Sequence, residues 1–202
     1  SVLQHGRPDN DVLLYWPVYD LWMSGGEREL RFKVHNPEWI EETPCGEAGR
    51  WMIDQGYTFD FVSDRQLLKT NCDGRTLHTE GGNEYSAVLV PSAEHMTLAT
   101  ARRLIDLAHA GATVLLWKQL PHDVPGWKDR SARRQRLIDL LEGLSFDDAG
   151  MATVGSGKLM VNDDLGKLLK TAGIAHEPVA AEGLKFIRRK SPSHISYFLV
   201  NH

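Results

Sequence analysis

Polar side chains that could bind a small molecule follow the apolar runs predicted to form strands. Tyr19 and Asp20 come after the first run, and Asp64 and Arg65 come after the second. In an open α/β sheet, ligands bind in the crevice beyond the carboxyl ends of the strands. The sequence therefore predicts a polar crevice with Tyr19, Asp20, Asp64 and Arg65 as its binding candidates.

Carboxylates at three of these strand ends raise the question of glycoside hydrolysis. The candidates are Asp20, Asp64 and Glu94. Hydrolysis of a glycoside uses an acid and a base or nucleophile set a few ångströms apart on facing elements. Acidic residues also cap helices and turns, so capping is the alternative role for all three. Ser92 and Lys118 follow the third and fourth predicted strands and belong to the same polar set.

Other chemistries lack a matching pattern. Amidotransferase-like versions of this sheet place a nucleophilic cysteine at a strand-to-helix elbow, where this sequence has Lys118 and Gln119. The run Gly155–Lys158 lacks the first glycine and the final hydroxyl of a phosphate-binding P-loop. Neither the nine histidines nor Cys45 and Cys72 have metal-ligand spacing. We expect two free thiols, no metal and no cofactor.

The elements that would position the crevice alternate between strand and helix. Apolar runs predict strands over residues 11–18, 57–62, 85–90, 113–117 and 158–161. Helical spacing predicts helices between Thr43 and Gly56, between Thr97 and Gly111, and over residues 129–144 and 163–172. Gly25 and Gly26 predict a turn, and residues 71–84 predict a small hairpin excursion.

Strands that alternate with helices predict right-handed crossovers and a mostly parallel sheet. The predicted fold class is α/β, an open, flavodoxin-like three-layer sheet with helices on both faces and a C-terminal antiparallel hairpin over residues 184–188 and 195–200. Because no linker or repeat divides the chain, residues 1–202 are predicted to form a single domain. Residues 184–202 are the candidate start of a following β-rich module.

Composition excludes several classes of function. Hydrophobic residues make up 42% and charged residues 25% of the 202 residues, which is typical of a globular protein. Lys and Arg number 23 against 27 Asp and Glu, so the basic surface of a nucleic-acid binder is not expected. No apolar run reaches the roughly 18 residues of a membrane span. We expect neither a nucleic-acid partner nor a membrane partner.

Aromatic residues crowd the first third of the chain. They are Tyr15, Trp16, Tyr19, Trp22, Trp39, Trp51 and Tyr57. Such side chains stack on sugar faces, fill a core or pack against another domain, and the sequence leaves these roles open.

Three runs, taken in order, resemble bacterial α-L-rhamnosidase-like glycoside hydrolases of family 106. They are Gln4–Trp22, Gly56–Leu67, and Gly183–Arg189 together with Tyr197–Asn201. The resemblance spans nearly the whole chain. It implies a long multidomain parent in which a (β/α) barrel carries the catalytic glutamates and a flavodoxin- or amidotransferase-like domain follows.

The resemblance assigns this chain to that internal domain, because a barrel alone takes about 250 residues. It implies an excised, non-catalytic accessory domain that packs on the barrel and lines the carbohydrate cleft, with no catalytic residue carried over. A carbohydrate-binding module acting through the strand-end crevice is the alternative, and a self-contained hydrolase is a third. The implied partners are the barrel, β-rich modules and rhamnose-containing glycans, in a parent that is periplasmic or secreted.

Overall fold

A computed structural model describes residues 6–23 and 38–201. The strands are β1 (Arg7–Pro8), β2 (Val12–Tyr15), β3 (Phe59–Val62), β4 (Asn71–Asp73), β5 (Thr76–His78), β6 (Glu84–Tyr85), β7 (Ala87–Pro91), β8 (Thr113–Trp117), β9 (Met151–Val154), β10 (Gly157–Asn162), β11 (Leu184–Lys190) and β12 (Ile195–Asn201). The helices are α1 (Val18–Met23), α2 (Glu38–Glu41), α3 (Pro44–Asp54), α4 (Asp64–Leu67), α5 (Leu98–His109), α6 (Arg130–Glu142) and α7 (Leu165–Ala172), with a 3₁₀ helix at Pro178–Glu182. No helix in these two ranges is long and apolar enough to cross a membrane.

A six-stranded sheet forms the centre of the fold, in the order β3-β2-β7-β8-β10-β9. Its neighbouring strands are parallel except for β9, which pairs with β10 in the antiparallel direction. If the five parallel strands are renumbered 1 to 5 by their order along the chain, they lie side by side in the order 2-1-3-4-5. The winding direction reverses between the first and third of them, β2 and β7. This is the doubly wound arrangement that creates a ligand crevice at the reversal point, so the predicted fold class is confirmed.

Helices cover both faces of this sheet because its central strands are apolar on both sides. In β2, Leu13 and Tyr15 join the core cluster beneath α5 and α6, whereas Val12 and Leu14 join the cluster beneath α3 and α7. This alternation follows from the two-residue period of a strand. The same burial fixes the orientation of the strand ends that form the crevice.

Capping residues set the helix starts much as the sequence predicts. The Thr43 side chain accepts a hydrogen bond from the Gly46 N–H at the start of α3, and Thr97 does the same for the Thr100 N–H of α5. Each bond satisfies a backbone donor that has no partner within the helix.

Several elements differ from the sequence-based expectation. The first strand ends at Tyr15 rather than residue 18, because Pro17 has no backbone N–H to donate to a neighbouring strand and α1 begins at Val18. The strand predicted over residues 85–90 divides into β6 and β7. Strands β1 and β9 and helix α4 are additional short elements. The turn predicted at Gly25 and Gly26 lies outside the described residues.

Two small antiparallel sheets flank the central one. The excursion predicted over residues 71–84 forms the sheet β4-β5-β6. The predicted C-terminal hairpin is confirmed as β11 and β12, and β1 adds to it in the order β1-β11-β12.

Candidate functional site

Asp20 bridges the point where the winding of the sheet reverses. It lies on α1, directly after β2, and its carboxylate accepts hydrogen bonds from the backbone N–H groups of Glu94 (2.9 Å) and His95 (2.6 Å), which follow β7. The Nδ1 atom of His95 lies 2.9 Å from Asp20 Oδ1. Asp20 therefore joins the loops that follow the two strands at the reversal point.

Asp64 is bonded to buried hydroxyl groups on the neighbouring elements. The Tyr15 hydroxyl donates to Asp64 Oδ1 at 3.1 Å, and the Thr100 hydroxyl donates to the same oxygen. Burial raises the pKa of Tyr15, and the Asp64 carboxylate raises it further, so this phenol remains a donor. Asp64 thereby connects α4 with β2 and α5.

The other two predicted binding residues differ in their surroundings. Tyr19 is half-buried, and its ring meets the exposed ring of Trp22 edge-on with 5.6 Å between centroids. Burial and the Asp64 charge both raise the pKa of Tyr19. Arg65 is exposed on α4 and exerts its charge on Glu80. The structure thus brings Tyr19, Asp20 and Asp64 together around Tyr15, while Arg65 faces solvent.

The residue that follows β8 is Lys118, so no nucleophile lies at this strand end. Lys118 adopts φ +74°, in the left-handed region, but the next helix, α6, begins only at Arg130, so the chain forms no tight strand-to-helix elbow here. Its Nζ atom lies 3.2 Å from Glu47 Oε2 and 3.9 Å from the ring centroid of Trp117. Ser92, with φ +26°, donates its N–H to the Trp117 carbonyl at 2.9 Å. Lys118 is therefore engaged in an ion pair and a cation–π contact rather than in catalysis.

Sequence reasoning missed the residues that complete the crevice. His95 is 7% exposed and binds Asp20, 75 positions earlier in the chain. Asp123 accepts from Arg130 Nη2 at 2.6 Å and from the Val124 N–H at 2.7 Å. No local motif marks His95, because its contact with Asp20 joins two distant loops. Asp123 reaches the crevice through a backbone bridge to His95, 28 positions earlier in the chain.

Thiol and metal chemistry gain no support from the described part of the chain. Burial raises the pKa of the Cys45 thiol to about 12, which keeps it protonated and unreactive at neutral pH. Cys45 and Cys72 are both free, as predicted. Within residues 6–23 and 38–201, no group of three or more His, Cys, Asp or Glu side chains could hold a metal ion.

Comparisons with known proteins agree with this fold. The model of glycoside hydrolase family 106, described as α-L-rhamnosidase, matches residues 42–202. A rhamnosidase from Novosphingobium sp. PP1Y superposes over 100% of this chain and 18% of its own length, with a TM-score of 0.67 and 22% identity. A β-galactosidase from Bacillus circulans sp. alkalophilus superposes over 100% of this chain and 37% of its own length, with a TM-score of 0.57 and 13% identity. No curated sequence matches.

The fold is that of an α/β region found within two glycoside hydrolases of known structure. The family match covers well over half of the chain, and the chain therefore belongs to the α-L-rhamnosidase family, glycoside hydrolase family 106. It spans less than a fifth of the length of the rhamnosidase it resembles.

Proposed function

We propose that this chain is a non-catalytic accessory domain of an α-L-rhamnosidase-type glycoside hydrolase and packs against the part of the parent protein that carries catalysis. The supporting observation is that the crevice carboxylates accept hydrogen bonds from the domain itself. Asp20 accepts from two backbone N–H groups and lies against an imidazole, and Asp64 accepts from two hydroxyl groups. Both act as structural acceptors between loops and elements.

Glycoside hydrolysis requires a different arrangement of carboxyl groups. One must protonate the leaving oxygen, and a second must act as base or nucleophile from the opposite side. Of the three strand-end candidates, Glu94 alone is exposed, with its Oε1 atom 3.7 Å from Nε2 of His122. Asp20 and Asp64 already accept hydrogen bonds from other parts of the domain. Neither is therefore available to act with Glu94 as a catalytic pair of carboxyl groups.

Surface composition supports the packing role. Among the described residues, five of the ten exposed large hydrophobic side chains lie on the β11–β12 hairpin: Ile187, Ile195, Tyr197, Phe198 and Leu199. Ile187 and Phe198 are paired across the two strands on one face of the hairpin, and exposed apolar side chains grouped in this way mark a protein–protein interface. Since the matching rhamnosidase is several times longer than this chain, the proposed occupant is another domain of the same polypeptide, either the barrel or a β-rich module.

The alternative function is a carbohydrate-binding module acting through the strand-end crevice. The exposed ring of Trp22 beside Tyr19 favours it, because aromatic faces stack on sugars. In that proposal, Tyr19, Asp20, Asp64 and Arg65 form one wall of the carbohydrate cleft.

Hydrolysis of 4-nitrophenyl α-L-rhamnoside by the purified chain tests the main proposal. We expect no release of nitrophenol above the uncatalysed rate, even with the protein in excess. Release that disappears in Glu94→Gln would identify Glu94 as a catalytic carboxyl group and would overturn the accessory role. Binding of the rhamnoside without hydrolysis, weakened by Trp22→Ala, would favour the alternative.

A further inference from the structure

A cavity of about 540 Å³ lies beside the edge strand β3, one strand away from the crevice. Its walls include Asp60 and Phe61 of β3, Gln66 of α4, and Thr79 and Asn83 of the turn between β5 and β6. This volume falls within the range of about 300–1,000 Å³ that is usual for small-molecule sites. None of these side chains belongs to the crevice set.

The outer edge of β3 offers unpaired backbone groups to this cavity. The Val12 N–H bonds to the Thr58 carbonyl and the Trp16 N–H bonds to the Val62 carbonyl. In a parallel ladder, the backbone groups of alternate residues bond to the same neighbouring strand. The backbone N–H and carbonyl groups of residues 58, 60 and 62 therefore point toward β2, and those of Phe61 point outward from the sheet edge. No other described residue bonds to the Phe61 N–H or carbonyl.

Two side chains add complementary polar atoms. The Tyr85 hydroxyl donates to Asp60 Oδ2 at 2.8 Å, while Oδ1 of this half-buried carboxylate accepts no bond from the described chain. Gln66 uses Oε1 to accept from the N–H and hydroxyl of Ser63 (3.0 and 2.8 Å), which leaves its Nε2 donors unused by the described residues. The cavity therefore presents acceptors and donors side by side.

Apolar side chains also line the cavity. Leu13, Val62 and the ring of Tyr85 contribute the apolar lining. Arg7, which precedes the lining residue Pro8, donates to the carbonyl of Gly82, which lies between the lining residues Gly81 and Asn83, at 2.8 Å. This contact ties β1 to the turn between β5 and β6 and so fixes two parts of the cavity lining relative to each other.

The charges at the cavity disfavour an anion. Asp60 makes no ion pair among the described residues, whereas Glu80 is paired with Lys69 at 2.8 Å. An anionic ligand would therefore lie beside an uncompensated carboxylate. Intermixed donors and acceptors with apolar patches match a molecule that carries many hydroxyl groups on a compact ring.

We propose that the cavity beside β3 binds a neutral saccharide. Asp60 Oδ1 and the Phe61 carbonyl accept hydrogen bonds from sugar hydroxyls, and Gln66 Nε2 and the Phe61 N–H donate hydrogen bonds to sugar oxygens. At this site the domain would bind the saccharide without cleaving it. It is independent of the crevice and of whether the chain hydrolyses a rhamnoside.

A titration followed by ¹⁵N–¹H NMR tests the site, with L-rhamnose and D-galactose as neutral probes, D-galacturonate as the anionic probe, and blocked trialanine as the peptide probe. We expect saturable shifts at the amides of residues 60–66 and 79–83 with at least one neutral sugar. The Asp60→Asn substitution should weaken this binding about tenfold or more, because it removes a charged acceptor. Asp73→Asn on the exposed strand β4 removes the same charge outside the cavity and should leave the affinity unchanged.

A second variant covers the event that Asp60→Asn perturbs folding. Gln66→Glu keeps the oxygen that accepts from Ser63 but replaces the donor with an acceptor, so it should also weaken sugar binding. The proposal is overturned if no neutral sugar gives saturable shifts at these amides, or if both cavity variants bind as tightly as Asp73→Asn. It is equally overturned if D-galacturonate binds more tightly than the neutral sugars, or if only trialanine shifts these amides.

Discussion

Arg188 joins three carboxylates from separate segments of the chain. Its guanidinium lies 2.7 Å from Asp9 Oδ2, 2.8 Å from Asp11 Oδ2 and 2.8 Å from Glu177 Oε1, and its side chain is 10% exposed. Without this cation, the three carboxylates would repel one another at close range. Arg188 therefore fastens the C-terminal hairpin to the start of the central sheet.

Replacement of Arg188 with methionine should lower the free energy of unfolding by about 3 kcal/mol at pH 7, because it leaves partly buried carboxylates unpaired. Urea unfolding followed by circular dichroism measures this loss. The exposed Arg102 on α5 provides the control, and Arg102→Met should change stability by less than about 0.5 kcal/mol. Equal losses in the two variants would contradict the role given to Arg188.

The ion pairs of Arg188 also predict how the stability lost in Arg188→Met depends on pH. Burial raises the pKa of Glu177, but the hydrogen bonds from Arg188 and Tyr197 outweigh burial and hold that pKa below its ordinary value of 4.5. The resulting stability is present above about pH 4.5 and is lost as the pH falls through the lowered pKa. The stability gap between the wild type and Arg188→Met should therefore narrow between about pH 5 and pH 3. A gap that widens on acidification would contradict this assignment.

For individual residues, the sequence predicts which polar side chains lie at the strand ends but not which partners they bind. Tyr19, Asp20 and Asp64 were identified from their positions after apolar runs, and the structure places all three around Tyr15. Their roles depend on His95 and Thr100, which are contributed by loops and helices 75 and 36 positions away. A single sequence carries no signal for such pairings, because nothing local to Asp20 requires a histidine at residue 95.

Among the elements, the β4–β5 hairpin is held against the central sheet by close backbone contact. A Cβ atom added to Gly111, between α5 and β8, would lie 1.7 Å from the Gly74 carbonyl oxygen. Gly111 also has φ +120°, which side-chain-bearing residues rarely adopt. The turn of the hairpin can approach the sheet this closely only because residue 111 is glycine.

Gly111→Ala should therefore destabilise the fold by more than about 3 kcal/mol, because it combines backbone strain with a backbone clash. Gly173→Ala is the matched control, since Gly173 has φ +76° but nothing within 4 Å of an added Cβ. The control should cost about 1 kcal/mol from strain alone. Thermal unfolding of both variants measures the difference. Similar losses of stability in the two variants would show that the hairpin can move away from residue 111 at little cost, which would contradict this prediction.

Elements with a long apolar stripe or a dense run of large apolar residues are predictable from the sequence, whereas short elements with a mixed pattern are not. Helix α5 follows from Thr97 and its periodic apolar residues, and β8 from five consecutive apolar or β-branched residues. Strand β9 is four residues long, like β2 and β3, but it lacks their run of large apolar or aromatic residues and ends at a tight turn before β10, so its pattern does not distinguish it from a loop. Pairing with β10, rather than local propensity, makes it a strand.

For the whole molecule, the distribution of exposed apolar side chains indicates where the proposed interdomain contact would lie. Ile187 and Phe198 are paired in register on β11 and β12 and share the outer face of the hairpin, where they are 57% and 46% exposed. On the opposite face, Arg188 and Tyr197 bond to Glu177 and hold the hairpin to the domain. Two exposed apolar side chains paired across the strands favour association with another protein surface.

The double substitution Ile187→Thr and Phe198→Thr should reduce self-association of the purified chain and its binding of the hydrophobic dye anilinonaphthalene sulfonate. Because both side chains are about half exposed and threonine favours strands, the free energy of unfolding should fall by less than about 1 kcal/mol. Sedimentation velocity and dye fluorescence measure the two surface effects. Trp127→Thr removes an aromatic side chain that is 81% exposed outside the hairpin and should change neither one. If the control reduces both as much as the double variant, the hairpin is not the principal apolar surface, and the interdomain contact must be sought elsewhere.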